Sequence, residues 1–158
     1  MPPILALKYR PNRVIADRLG QCMAKVVIRS GWKLDLVVAV PLGQARLRQR
    51  GYNQAGLIAS ALACELSLNY DPQALVRRRD TASQVGLDRR GRMDNVRLAF
   101  RALPEYIHGQ RVLVVDDLVT SGATISACAT ALHQAGAGAV YGVTVARACR
   151  TEHTKFLT

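Results

Sequence analysis

Val112-Leu-Val-Val-Asp-Asp-Leu-Val-Thr-Ser-Gly-Ala-Thr124 decides the fold of this chain. Its first four residues are apolar and branched, the mark of a strand covered on both faces. The strand reading, Arg111–Asp117, ends on two adjacent carboxylates. Ligands of open α/β sheets bind outside the carboxyl ends of the strands. Acids at that edge are costly unless hydroxyls, a metal or water meet them. The turn that follows, Thr120–Thr124, is small and hydroxyl-rich and opens straight into a helix. Exposed backbone N–H groups and the helix dipole make such a turn an anion seat. Gly122 permits close backbone approach or a positive φ. One segment therefore offers carboxylates for sugar hydroxyls and a cradle for a phosphate, and a ribose 5-phosphate unit satisfies both. The plainer alternative is a structural strand end whose Thr and Ser only cap the helix.

Working outward, the same grammar repeats. Ile15, Leu19, Met23 and Val26 recur at helical spacing and predict a helix over Asn12–Arg29, ended by Gly31. Asp35–Pro41 reads as a buried strand and Asn53–Leu66 as a helix, with Ile58, Leu62 and Leu66 on one face. Thr124–Gln134 reads as a helix stopped by Gly136, with Ile125, Cys128, Ala129 and Leu132 facing inward. Ala139–Ala146 reads as a third buried strand. Alternating strands and helices predict a single α/β domain over residues 1–158, with a mostly parallel sheet and helices on both faces. The stretch between Val76 and Arg101 fits neither element. It is rich in arginine and reads as a long exposed excursion, the kind of loop that is usually functional.

Composition narrows the partners. The 158 residues are 49% hydrophobic and 21% charged, ordinary for a globular protein, with a net charge of +11. Only Lys8, Lys25, Lys33 and Lys155 are lysines, so the positive charge is mostly guanidinium, which suits phosphates and stacked bases. An anionic partner is expected: a phosphorylated small molecule, a nucleic acid or both. Cys22, Cys64, Cys128 and Cys149 form no Cys-x-x-Cys pair, and most are expected to be buried small hydrophobes. With no signal-peptide pattern, and with Leu36–Leu42 as the longest apolar run, a cytoplasmic protein without membrane insertion is expected.

Two rival readings fail. A P-loop needs a lysine in its turn, and none occurs near Thr120–Thr124. A phosphate-accepting receiver domain needs an aspartate on a later strand, and none follows Asp117. His108, His133 and His153 are isolated, and Ser83 and Ser126 have no His–Asp set beside them.

Val112–Thr124 resembles the signature of type I phosphoribosyltransferases that binds 5-phosphoribosyl diphosphate (PRPP). The wider pattern is similar to the ComF branch of that family, related to competence proteins. It is carried by Leu7-Lys-Tyr9, Val40-Pro-Leu42, Arg46, Arg50-Gly-Tyr-Asn-Gln54, Arg78, Thr81, Gln84, Leu87, Arg92, Asn95 and Ala99-Phe100. The resemblance implies that Asp116 and Asp117 hold the ribose hydroxyls, directly or through Mg2+-bound water. Leu118, Val119, Thr120, Ser121, Gly122, Ala123 and Thr124 would bind the 5′-phosphate. Leu42, Gly43 and Gln44 would form a pyrophosphate loop, with Arg46 and Arg50 neutralising its charge. A flexible loop carrying Arg77, Arg78, Thr81, Gln84, Arg89, Arg90 and Arg92 would close over the site.

Members of the branch commonly carry an N-terminal four-cysteine zinc module; this sequence starts almost at Leu7-Lys-Tyr9, so either this member lacks the module or the sequence is a trimmed form. Arg147–Thr158 offers no evident nucleobase pocket. The expected function is thus PRPP-dependent transfer or recognition of a 5-phosphoribosyl group with Mg2+, linked to DNA uptake or use. The alternative is a non-catalytic, PRPP-responsive protein that binds single-stranded nucleic acid. PRPP or ribose 5-phosphate is the expected ligand, single-stranded DNA a second candidate partner, and the oligomeric state is open, a dimer included.

Overall fold

The computed structural model describes residues 7–78 and 99–148. At its centre is β5, Arg111–Val119, whose Val112, Leu113, Val114 and Val115 have no exposed surface. It pairs in parallel with β1, Leu36–Ala39, on one side and with β6, Ala139–Arg147, on the other. The two-residue β2, Asn69–Tyr70, adds to the far side of β1, giving the order β2-β1-β5-β6.

Successive strand side chains point to opposite faces. Val112 and Val114 pack with Ala127, Cys128, Ala131 and Leu132 of α5, Ala123–Gln134. Leu113 and Val115 pack on the other face with Met23, Ala24 and Val27 of α1, Arg13–Ser30, and with Ile58 and Leu62 of α3, Gln54–Leu66. Each such side chain, fully buried, contributes roughly 1.5–3 kcal/mol. Helices cover both faces, as expected, and the all-parallel sheet matches its unbroken apolar strands.

The termini of the helices follow local chemistry. The Asn12 side chain accepts from Ile15 N–H at 3.1 Å, and Gly31 closes α1 at φ 67° with its N–H on Ile28 O. The buried stripe of α1 is Ala16, Gly20, Met23, Ala24 and Val27. Val26 is 58% exposed, which corrects the expected inner face by about one residue. The reason is close helix contact: a Cβ on Gly20 would stand 2.8 Å from Ala61 Cβ, so α1 rolls its small residues toward α3.

Three other expectations change. β6 is half-exposed along most of its length, because among the described residues it is paired on one side only. Its Tyr141 ring stacks on Trp32 at 4.8 Å. Both ends of the arginine-rich stretch are ordered: β3, Leu75–Arg77, pairs antiparallel with β4, Phe100–Ala102, and Leu75 and Phe100 enter the α5-side core. Thr81, Gln84, Arg89, Arg90 and Arg92 lie outside the described residues. Cys128 is buried, but Cys22 and Cys64 are exposed on their helices; Cys149 is outside the described residues. Two short helices complete the order: α2, Gln44–Arg50, and α4, Pro104–Ile107. Among the described residues no helix is long and apolar enough to cross a membrane.

Candidate functional site

The chain leaves β1 for a helix on one face of the sheet and leaves β5 for a helix on the other. Between the carboxyl ends of these two neighbours a crevice must open. It does: a cleft of about 260 Å³ is bounded by Val40, Pro41 and Leu42 after β1 and by Asp116, Asp117 and Leu118 of β5. Arg46 and Arg50 of α2, Arg77 at the end of β3, Thr124 of α5 and Lys8 complete most of its wall.

Strand alternation separates the two carboxylates. Asp117 follows the Leu113–Val115 face, toward α3, while Asp116 follows the α5 face. Asp116 Oδ1 accepts from the Asp117 backbone N–H at 2.9 Å. Burial, with the neighbouring carboxylate adding to it, pushes the Asp116 carboxyl up to about 6. Asp117 is buried; its Oδ2 accepts from Gln54 Nε2 at 3.3 Å and faces Lys8 Nζ at 3.9 Å. Burial also raises the Cys128 thiol above its ordinary range, with Asp116 as a lesser cause. That sulfur is packing, not a nucleophile.

The turn after β5 matches its reading in part. Gly122 adopts φ 80°, the left-handed conformation that a side chain would strain, and α5 starts one residue earlier than expected, at Ala123. Thr120, Ser121, Ala123 and Thr124 are exposed, and Ser121 Oγ accepts from Ala123 N–H at a long 3.4 Å. Of the turn, Thr124 reaches the cleft wall, while Thr120–Ala123 are not part of it. On the opposite side Leu42 lines the cleft, Gly43 is the buried N-cap of α2, and Gln44 is exposed as its first residue. Arg77 faces the cleft with its guanidinium carbon 5.5 Å from the Phe100 ring centroid. Arg78 is exposed, its N–H on Ala99 O, and is not part of the wall.

Sequence reading gave no site role to Lys8, Asn53 or Gln54. The segment Arg50–Gln54 assigns one to each of its residues. Gly51 takes φ 79° and ends α2, reversing the chain at Arg50. Tyr52 OH donates to Leu7 O at 2.7 Å, which fixes the segment that carries Lys8. Asn53 caps α3 through Ala55 N–H and donates from Nδ2 to Val40 O at 2.9 Å, pinning the end of β1. Gln54 reaches Asp117 and also accepts from Arg50 Nη1. The available signal was the run of polar residues between two helices, each needing a partner.

The profile of the Phosphoribosyl transferase domain matches residues 15–157. The chain belongs to this family. The DNA utilization protein YhgH of Escherichia coli K12 is 37% identical over 145 residues, 88% of this chain and 63% of that protein. Competence protein F of Haemophilus influenzae is 31% identical over 105 residues, 65% of this chain and 45% of that protein. The chain thus spans less than two thirds of the length of these relatives. Together with the family match they identify a phosphoribosyltransferase-like protein of the ComF type. Among solved structures, the glutamine PRPP amidotransferase of Bacillus subtilis superposes with a TM-score of 0.59 at 22% identity, over 82% of this chain and 26% of that one. Adenine phosphoribosyltransferase of Thermoanaerobacter pseudethanolicus gives 0.56 at 20% identity, over 84% and 68%. These likenesses show the type I phosphoribosyltransferase fold.

Proposed function

We propose that the cleft binds PRPP and that the protein recognises or transfers its 5-phosphoribosyl group. One observation carries the reading: paired carboxylates and paired arginines line one cleft at the carboxyl ends of adjacent parallel strands. Asp116 and Asp117 accept from the ribose hydroxyls. Thr120–Thr124 hold the 5′-phosphate with hydroxyls and the first N–H groups of α5. Arg46 and Arg50 take the charge of the pyrophosphate, which leaves as its bond to the ribose carbon breaks.

The residues present fit Mg2+ as an ion that arrives with its ligand. Among the described residues no group of three or more His, Cys, Asp or Glu could cage a metal. Two carboxylates plus ligand phosphates are the usual set for this cation. When bound, Mg2+ supplies charge neutralisation to the pyrophosphate. Asp116 and Asp117 would hold it through water or through the ribose hydroxyls.

PRPP with Mg2+ is expected to raise the melting temperature, since a ligand selective for the folded chain stabilises it by mass action. The double variant Asp116→Asn, Asp117→Asn is expected to fold and to lose that rise. A rise of unchanged size in the double variant refutes the ribose assignment. Release of pyrophosphate that depends on an added acceptor and on Asp117 would establish transfer.

A second reading is a PRPP-responsive protein of DNA use. It is favoured by the names of the two relatives and by the net charge of +11. Single-stranded DNA affinity that falls steeply with salt supports it, because neutralised phosphates release counterions. No affinity at low salt removes it.

A further inference from the structure

Gln54 is a buried polar residue, 6% exposed, at the first position of α3. Its amide lies between two charged groups from different parts of the chain. Oε1 accepts from the Arg50 guanidinium, and Nε2 donates to Asp117 Oδ2 at 3.3 Å, 63 residues away. Only one of the two amide orientations satisfies both neighbours. The flipped amide would set oxygen against carboxylate and NH2 against guanidinium. Burial removes the water that could soften the mismatch, so Arg50 fixes the orientation of the group that holds Asp117.

We propose that Gln54 is a positioning residue that couples Arg50 and Asp117 in the wall of the cleft. An anion held by Arg50 and the orientation of Asp117 toward a sugar hydroxyl are linked through its amide. This inference rests on the reading of the cleft as a ribose-phosphate and pyrophosphate site. A guanidinium has five donors, enough to keep Gln54 while binding an anion. Anchoring Arg50 from the ligand side therefore immobilises the amide and pre-orders the Asp117 carboxylate. Linkage requires the effect to be reciprocal: pyrophosphate and ribose 5-phosphate raise each other's affinity by the same factor through this path.

The test uses inorganic pyrophosphate and ribose 5-phosphate as probes in calorimetry, with Gln54→Met and Gln54→Glu beside the wild type. Gln54→Met keeps the bulk and loses both hydrogen bonds. It is expected to weaken ribose 5-phosphate binding about tenfold. The enhancement by pyrophosphate is expected to drop about fivefold relative to wild type. Gln54→Glu is isosteric and, when protonated, can both donate and accept. Its affinity relative to wild type at the same pH is expected to rise as the pH falls, which simple space-filling would not produce.

A ligand-free readout stands beside these. The Gln54 side-chain amide is expected to exchange slowly with solvent, and to exchange faster in Arg50→Met and in Asp117→Asn alike. An amide that exchanges freely in the wild type overturns the bridge. A protected amide with normal ribose 5-phosphate binding, but no loss of enhancement in Gln54→Met, overturns the coupling alone. Failure of the wild type to bind ribose 5-phosphate overturns the cleft reading and the coupling together.

Discussion

The two ends of β5 handle carboxylates in opposite ways. At its start, Asp35 meets Arg111 in a fork, with Oδ1 on Nη2 at 2.6 Å and Oδ2 on Nε at 2.8 Å. The same Oδ2 also accepts the Arg111 backbone N–H at 2.9 Å. The guanidinium holds the Asp35 carboxyl down at about 2. At its end, Asp116 and Asp117 sit side by side, with one amide and a lysine at 3.9 Å on Asp117 and no comparable fork among the described residues. There the Asp116 carboxyl is pushed up to about 6. One end satisfies its charge within the fold. The other leaves charge under-compensated beside an open cleft, which is how a site for an incoming ligand differs from a structural ion pair.

The largest expected effect breaks this contrast on the ligand side. Asp117→Asn keeps the shape but replaces one of the two acceptor oxygens with an NH2 donor. Ribose 5-phosphate affinity is expected to fall about 100-fold, the worth of one or two charge-assisted hydrogen bonds. Asp35→Asn is expected to leave that affinity unchanged. Calorimetry on the two variants decides the matter. Equal losses would mean that the two ends act as one unit.

How much of this contrast was legible beforehand depends on what each part needs. The strand, turn and helix that frame the proposed anion seat could be read because they are contiguous, and each local choice agrees with the next. Gln54 and Lys8 could not be given roles, because their meaning is a tertiary contact to Asp117 across more than 60 residues. The apolar content of β6 was read correctly as a strand but wrongly as buried, since strand order, not composition, decides which strand sits at an edge. β3 and β4 escaped because each is three residues long, too short for periodicity to register. On α1 the pattern of large residues pointed to Val26, while the packed face is set by Gly20 and Ala24, small residues that a search for bulk passes over.

An intermediate effect comes from the raised Asp116 carboxyl. Its folded value of about 6 lies above the ordinary 3.8, so the folded state favours the protonated form. The stability it contributes is fully present below pH 3.8 and is lost as the pH rises through about 6. Asp116→Asn removes this loss. Above pH 6 the variant is expected to be more stable than the wild type by about 1–2 kcal/mol, once solvent screening is allowed for. The difference is expected to shrink toward pH 4. Urea unfolding at pH 4 and pH 7.5 reads both values. A variant equally stabilised at both would assign the effect to packing and not to charge.

The smallest effect tests the other end, and its sign is reversed. Asp35 has a folded value of about 2, below the ordinary 3.8, so its contribution is present above pH 3.8 and is lost as the pH falls through about 2. Both partners are partly solvated, with side chains 33% and 44% exposed, so the pair is screened by water and salt. Asp35→Asn also retains an oxygen that can accept the Arg111 backbone N–H, so the strand start need not open. A modest loss of stability at neutral pH is therefore expected, smaller than the Asp116→Asn gain and diminished by added salt. It is expected to shrink as the pH falls through about 2, where the wild-type carboxyl takes up its proton and the two side chains come to present the same charge to Arg111. Unfolding curves at pH 7 and pH 2, each at low and high salt, carry the test. A loss at pH 2 as large as at pH 7 would mean that Asp35 acts through the shape of the strand start, and the contrast between the ends of β5 would no longer be one of charge.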